Sequence, residues 1–525
     1  MKKLTTVLLL LSIIFAQAQI GNVINFNKAK RLMSLDAYQE ALSILDSLKS
    51  NNPENYNLDY LIGKCYLNQT YDKVKAIPYL EKAKAHISKE YKNNYKNMAA
   101  PQAAYYDLAK SYLLNYQLDQ VISIANEYQK EGDNQQIQEK LDLLKQNAKN
   151  AKNLMLMPIK IKIDLLSLKI NSKQDDYTAL VNADETVMVF TSRRKGSTGG
   201  LKNDEGKYYE DVYISYKQNG EWTAAQNMGE AINTDRHDAC VALSADGESL
   251  IIYRDDYGIG NLYISTKDSL GWTKAKKMSQ NINSNANETH AAFSHDGQAL
   301  YFVSDIKDGE GGKDIYVSYK LPNGDWAYPQ NLGNNINTEF DEDGVFIHPD
   351  GQKLFFSSKG HKSMGGYDIF YCDLIGDSIW SKPKNMGYPI NTTSDDMFAV
   401  FSADDKRAYY SANKKDGFGA YDIYQMNLMS LPERNNTIIK GYLRTTDGQI
   451  IKNKSIKVLS TSGQIIGKYK ANKEGLFVFV LQQNQTYQLK VNGLLLKNNQ
   501  FKVPDQTAFF ITQKALVLQT IAQVK

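Results

Sequence analysis

The chain is short of cysteine. Cys65, Cys240 and Cys372 are all that its 525 residues contain, and no C-x-x-C pair occurs. That count and spacing speak against a disulfide framework and a cysteine-bound metal site, so the three are expected as small buried apolar residues. Excess charge of one sign is missing too. The formal charge is +4, and with Lys2 and Lys3 set aside 4 − 2 leaves +2, which offers no electrostatic case for nucleic acid. Long apolar runs are absent beyond the first 18 residues, so no transmembrane segment is expected. Neither H-E-x-x-H nor G-x-S-x-G occurs, which removes two common hydrolase signatures. His237, His290, His295 and His348 are scattered among turns rather than grouped. No catalytic residue, metal site or cofactor is expected.

What is present is an ordinary foldable balance, 42% apolar and 23% charged, with length for two to four domains. Thirty-five tyrosines suit half-buried β-sheet surfaces. At the N-terminus, Met1-Lys2-Lys3 precedes an apolar run from Leu8 to Phe15 and then Ala16-Gln17-Ala18. A basic start, a short apolar core and an A-x-A site make residues 1–18 a secretory signal peptide, with the mature chain starting at Gln19. No cysteine follows that run, so no lipid anchor is expected.

Residues 22–150 read as paired helices. Phe26, Ala29 and Leu32, then Tyr38, Ala41, Leu45 and Leu48, recur at helical spacing, and Asn52-Pro53 ends the pair. Further pairs run through Leu61, Gly63 and Tyr66 to Ala83, and through Tyr105, Leu108 and Tyr112 to Ile124. Small residues such as Gly63 let facing helices approach closely. The matching positions, Tyr38-x-x-Ala41 with Pro53 and Leu61-x-Gly63-x-x-Tyr66, make this region resemble tetratricopeptide repeats, stretched by an insertion at 86–100. The resemblance implies a concave surface for protein segments.

From 158 to about 430 the pattern turns to short β runs broken by Gly, Asp and Asn. All four tryptophans keep one phase: Trp222, Trp272, Trp326 and Trp380 each stand eleven residues before the asparagine of an Ile-Asn pair. A rare residue held to one phase with a period near 50 marks an internal repeat. A fifth pair, Ile170-Asn171, has Lys160 in the tryptophan's place. Five residues after each asparagine comes a carboxylate: Asp176, Asp238, Glu288, Glu342 and Asp396. Eight residues further stand Asp184, Asp246, Asp296, Asp350 and Asp404, three of them in Asp-Gly hairpin turns. Four strands per unit and five units predict a five-bladed β-propeller. The last copy lacks its Trp…Ile-Asn segment, so the orphan strand at Ile159–Ile163 is expected to complete the last blade and close the ring. The motifs S-x-D-G-x-x-L-Y-F and G-G-x-D-I-Y resemble the TolB-like, WD-type propeller repeats of envelope proteins.

Residues 437–525 alternate like strands of a β-sandwich and resemble the carboxypeptidase regulatory-like (transthyretin-like) fold. The expected fold class is thus multidomain: helical repeats, then an all-β propeller, then a sandwich. That order resembles the PorE-like, OmpA-family envelope proteins of Bacteroidota linked to type IX secretion and gliding. Members usually end in an OmpA-like domain, and this sequence stops at Lys525 where it would begin, so peptidoglycan binding is not expected. The resemblance implies an exported, non-catalytic periplasmic scaffold at the outer membrane with envelope proteins as partners. A glycan-binding or glycan-cleaving propeller is the alternative.

The first acidic column, Asp176, Asp238, Glu288, Glu342 and Asp396, is the candidate site. Five carboxylates near a ring axis would repel and need cations, donors or water. One reading is a cation or basic-peptide site at the channel mouth. The other is that each bonds N–H groups of its own or the neighbouring blade. The second column reads as turn chemistry. The Gly-rich loops at 309–312 and 365–366 have no following helix and so lack the usual phosphate-binding geometry.

Overall fold

The structure is a computed structural model that describes residues 20–69, 72–203, 206–376, 378–412, 414, 416–429, 435–491, 495–496, 499–504, 510–513 and 516–519. The signal peptide expected at residues 1–18 lies outside the described residues. The chain divides into two compact units, Met1–Met157 with Thr392–Ser394, and Pro158–Asn391 with Asp395–Lys525. Among the described residues no helix is long and apolar enough to cross a membrane.

The first unit holds seven α-helices among the described residues: α1 (20–34), α2 (Tyr38–Asn51), α3 (Tyr56–Asn68), α4 (Ala76–Lys84), α5 (Ala104–Leu114), α6 (Leu118–Glu131) and α7 (Gln135–Met155). From α2 onward each packs on the next in sequence order. Phe26, Ala41, Leu45, Leu61, Leu80, Tyr105 and Tyr128 form buried faces at the expected spacing. Gly63 is required where α3 meets α4, because a Cβ there would stand 2.6 Å from the Leu80 side chain. Asn55 and Asn134 cap α3 and α7 by accepting from the Leu58 and Ile137 N–H groups. The insertion at 86–100 folds back onto the start of α3, where the Tyr56 N–H donates to the Met98 carbonyl at 2.8 Å.

The second unit begins with five antiparallel sheets. Sheet I comprises Asp176–Val181, Val187–Ser192, Asp211–Gln218 and Glu221–Trp222. Sheet II comprises Asp238–Leu243, Ser249–Asp255, Gly260–Asp268 and Gly271–Trp272. Sheet III comprises Glu288–Phe293, Ala299–Ser304, Asp314–Tyr319 and Gln330–Asn331. Sheet IV comprises Glu342–Ile347, Lys353–Ser358, Asp368–Gly376 and Ile379–Trp380, and in sheets I, II and IV a fifth short strand, Gln226–Asn227, Lys276–Lys277 and Lys384–Asn385 respectively, also pairs with the third. Sheet V has Val400–Phe401, Arg407–Ala412 and Asp422–Leu428, and its fourth strand is Ile161–Leu165 from the other end of the unit. Register there runs from Ile161 opposite Leu428 to Leu165 opposite Tyr424. The first strands of sheets I, II, III and IV lie against one another in turn, the Phe346 ring of sheet IV packs tilted on Phe401 of sheet V, and sheet V lies against sheet I. That circular order is compatible with a β-propeller.

The tryptophans pack backward. Trp222 meets Tyr409 of sheet V, Trp380 meets Tyr301 of sheet III, Trp326 joins Val241 and Leu262 of sheet II, and Trp272 joins Val189 and Val212 of sheet I. In sheet V, where Lys160 holds the tryptophan's phase, Ile159, Ile161, Ile163 and Leu165 pack in the cluster holding Phe355 and Ile369 of sheet IV. The three cysteines are buried and free.

Two more sheets follow. One orders Leu476–Gln482, Asn436–Thr445, Leu516–Gln519 and Leu495–Leu496, the other Ile465–Lys470, Ser455–Ser460, Thr486–Val491 and Gln500–Lys502. Ile439, Leu443, Ile456, Val458, Phe477 and Phe479 belong to the single apolar core they share.

Candidate functional site

All five residues of the first acidic column are buried. Four of the carboxylates are held alike. Asp176, Asp238, Glu288 and Glu342 each accept from the backbone N–H and the hydroxyl of the residue four places earlier, Ser172, Thr234, Ser284 and Thr338, at 2.6–3.2 Å. Each also accepts from the end of its sheet's second strand. Arg194 reaches Asp176 at 2.6 Å and Arg254 reaches Asp238 at 2.5 Å, whereas Ser304 and Ser358 reach the longer Glu288 and Glu342 at 2.9 and 2.6 Å. A short acid thus meets a long donor and a long acid meets a short one. The backbone N–H groups of Asp176, Asp238, Glu342 and Asp396 donate to carbonyls of the preceding sheet, at Tyr421, Glu210, Lys313 and Tyr367. Burial pushes the carboxyls of Asp238 and Glu288 up, and that of Glu342 to about 7.

A second set of carboxylates, unremarked in the sequence except as the start of D-I-Y strands, occupies the Gly-rich loops. Asp314 accepts from the N–H groups of Glu310 and Gly311, Asp368 from Met364 and Gly365, and Asp422 from Phe418 and Gly419. Asp211 accepts from Thr198, and Asn227, Asn331 and Asn385 donate to Asp211, Asp314 and Asp368. A Cβ on Gly309 would stand 2.2 Å from the Asp314 carboxylate. These loops do cradle an anion, but it is the protein's own.

The first strands wall a narrow central cavity of about 40 Å³. Val241, Leu243, Ala291, Val345, Phe346 and Ala399 are typical of its lining, and His290 and His295 are its titratable members. The acidic column is not part of that wall; each of the four carboxylates described above is enclosed in its own loop. His290 stacks on Phe398, and neither ring nitrogen has a hydrogen-bond partner among the described residues. Burial pushes its pKa down to about 4, so the imidazole is neutral. Such a space admits a water or two, far short of the several hundred Å³ of a typical ligand pocket.

The second acidic column does more than turn the chain. One oxygen of Asp296 accepts from the Ser294 hydroxyl and the Gln298 N–H, the turn role expected from sequence. The other accepts from the Lys468 N–H at 3.0 Å. Asp184 pairs with Lys440, and Asp350 accepts from the Asn436 side chain at 2.9 Å. Lys440, Asn436 and Lys468 all belong to the C-terminal sheets. Ile438, Val478 and Val480 pack there on Ala183, Ala245 and Ala403, which flank the aspartates of turns I, II and V. The sheet pair therefore meets turns from every sheet of the ring. His295 donates to the Ile466 carbonyl on the same edge strand that Asp296 engages at Lys468, blunting an exposed strand edge.

His348, which the sequence showed only as one scattered histidine, is wholly buried beside this contact. Its Nδ1 lies 2.7 Å from Asp350 and its Nε2 3.3 Å from Asp405. Burial opposes its charge, but the two carboxylates outweigh burial and hold its pKa up at about 9. Among the described residues no group of three or more His, Cys, Asp or Glu is placed to hold a metal ion.

No family model matches the chain, and no curated protein does. Among solved structures it is similar to TolB from Acinetobacter baumannii, with 16% identity over 54% of this chain and 69% of that one and a TM-score of 0.33. A putative TolB from Agrobacterium tumefaciens is 13% identical over 62% of this chain and 99% of that one, TM-score 0.31. An alpha-L-arabinofuranosidase from Podospora anserina is 13% identical over 52% and 98%, TM-score 0.32. These likenesses are slight, and the description of the fold rests on the strand pairing.

Proposed function

We propose that the chain is a non-catalytic scaffold of the cell envelope, built from tetratricopeptide-like helices, a five-bladed propeller closed by its N-terminal strand, and a C-terminal β-sandwich. The observation that carries this reading is the state of the ring's carboxylates. Those of Asp176, Asp238, Glu288 and Glu342, of the second acidic column and of the Gly-rich loops bond to backbone N–H groups, hydroxyls, amides or cations of the chain itself. Glycoside hydrolysis needs two carboxyl groups facing each other across room for a sugar, and the ring's centre offers an apolar space of about 40 Å³.

The sandwich packs on the hairpin turns at one face of the ring, and on this reading partners are bound through the helical repeats and through ring surface that the sandwich does not cover. The resemblance to PorE-like, OmpA-family proteins supports export, a periplasmic location and partners at the outer membrane. Crosslinking and pull-down from the envelope, run beside a glycan panel on the purified protein, test the reading. Reproducible outer-membrane protein partners without glycan binding are expected. Glycan binding or turnover without protein partners would overturn it.

A further inference from the structure

One face of the C-terminal sandwich carries charge of a single sign. The sheet that orders Ile465–Lys470, Ser455–Ser460, Thr486–Val491 and Gln500–Lys502 holds five lysines in its strands and no Asp or Glu. Successive residues of a strand face opposite ways. Ile456, Val458, Tyr469, Leu489 and Phe501 turn into the core, so Lys457, Lys468, Lys470, Lys490 and Lys502 turn outward. Lys457 is half-buried and the other four are exposed.

The register makes this charge costly. Lys457 stands directly opposite Lys468 on one side and Lys490 on the other. Like charges at such positions, with Cβ atoms about 5 Å apart, destabilise a sheet. Nearby, Lys440 and Lys473 pair with Asp184 and Asp268, but none of these five pairs with a carboxylate among the described residues. Lys470 lies closest to the ring, where Asp246, Glu248 and Asp296 line the adjoining groove. Asp296 meets the backbone N–H of Lys468, not its ammonium. The uncompensated charge is therefore that of Lys457, Lys468, Lys490 and Lys502.

What the face lacks narrows what it fits. Tyr469, Tyr487 and Phe501 are taken into the core, and the four strands contain no arginine. Protein interfaces centre on aromatic and arginine anchors and are poor in lysine, and single-stranded nucleic acid needs aromatic platforms to stack on. A level array of ammonium point charges, with no anchor to fix a register, suits a fluid layer of phosphates.

We propose that this sheet face, through Lys457, Lys468, Lys490 and Lys502, docks the chain on the anionic headgroups of a lipid bilayer. The surface goes beyond the scaffold reading and does not depend on it.

The test uses the full mature chain in co-sedimentation with two kinds of vesicle, pure phosphatidylcholine and phosphatidylcholine mixed with phosphatidylglycerol in equal parts. Binding is expected to the mixed vesicles only, and added sodium chloride should release it. Each lysine removed should weaken partitioning about fivefold, so Lys457→Gln, Lys468→Gln and Lys490→Gln combined should weaken it about a hundredfold. Because the three face one another, their removal should leave the thermal midpoint unchanged or higher. A control with the same loss of charge elsewhere, Lys82→Gln, Lys130→Gln and Lys149→Gln combined, should bind as wild type does. Equal binding to both vesicles, binding to neither, or equal binding by the two triple variants would overturn the proposal. Capture of an acidic envelope protein that only the sandwich variant loses, without vesicle binding, would overturn it in favour of a protein partner.

Discussion

The side chain of Asn171 pairs with both backbone groups of Ile423, 252 residues away. Its carbonyl accepts from the Ile423 N–H at 2.8 Å and its amide donates to the Ile423 carbonyl at 3.0 Å. Asn233 does the same with Val212, Asn283 with Leu262, Asn337 with Ile315 and Asn391 with Ile369. Each asparagine thus binds its unit to the third strand of the sheet before it. Asn171 makes that link between the first sheet and the last.

Removing this link should loosen the whole ring. Asn171→Ala leaves the buried Ile423 N–H without its partner, while the Ile423 carbonyl keeps the Leu166 N–H at 3.2 Å, which costs about 1–3 kcal/mol. Urea unfolding should show one cooperative transition at a lower midpoint. Deleting residues 158–166 should lower it further. An unchanged melting temperature for the deletion would contradict closure by that strand.

Glu342 should carry a pH dependence of its own. Its folded pKa is raised from the usual 4.5 to about 7 by burial, against the opposing bonds from Ser358 and Thr338. A raised pKa means that its contribution to stability is fully present below about 4.5 and is lost as pH climbs through 7. Glu342→Gln keeps the hydrogen-bonding shape without the charge. The stability of wild type relative to this variant should fall by a few kcal/mol, roughly 3, between pH 4.5 and 8. A difference that does not vary with pH would remove the argument.

His348 should titrate in the opposite range from an ordinary histidine. The charged imidazole held by Asp350 and Asp405 contributes stability that is full below its usual 6.5 and declines as pH rises through about 9. His348→Asn leaves two buried carboxylates without their cation and should cost about 3–5 kcal/mol near neutral pH. Denaturant titrations at pH 6 and pH 10 should show the gap between wild type and variant narrowing at the higher pH.

The C-terminal sheets should be held to the ring by individual turn contacts. Lys440→Ala and Asn436→Ala together should weaken docking by about 2–4 kcal/mol, counting about 1–2 kcal/mol for each partly buried polar contact. Hydrogen exchange at residues 183–185 and 349–351 should accelerate, while the third strands of the sheets keep their protection. Protection unchanged at both turns would show that Ile438, Val478 and Val480 suffice.

The repeats were legible because their signals are local and periodic. Trp, Ile-Asn and Asp-Gly recur at fixed offsets, and those offsets survive in the sheets as a wedge on the preceding sheet, a bridge to it and a hairpin turn. The acidic column was legible as a column but not as a function. Its partners near the end of the second strand are arginines for Asp176 and Asp238 and serines for Glu288 and Glu342, and nothing in the spacing of the acids announces that exchange. Asp314 and Asp368 do not stand out in the sequence, because the backbone N–H groups that wrap them belong to residues whose side chains say nothing about it.

The sequence by itself determined the order of the regions and the number of repeat units, together with the strand that completes the last sheet. Each of these follows from residues that speak for their own few neighbours. Tertiary structure decided what the acids do. It placed Lys440 on Asp184, Asn436 on Asp350 and the Lys468 N–H on Asp296 across as many as 256 residues of chain. A carboxylate has two oxygens: the turn occupies one through residues at hand, and only folding brings the donor that occupies the other.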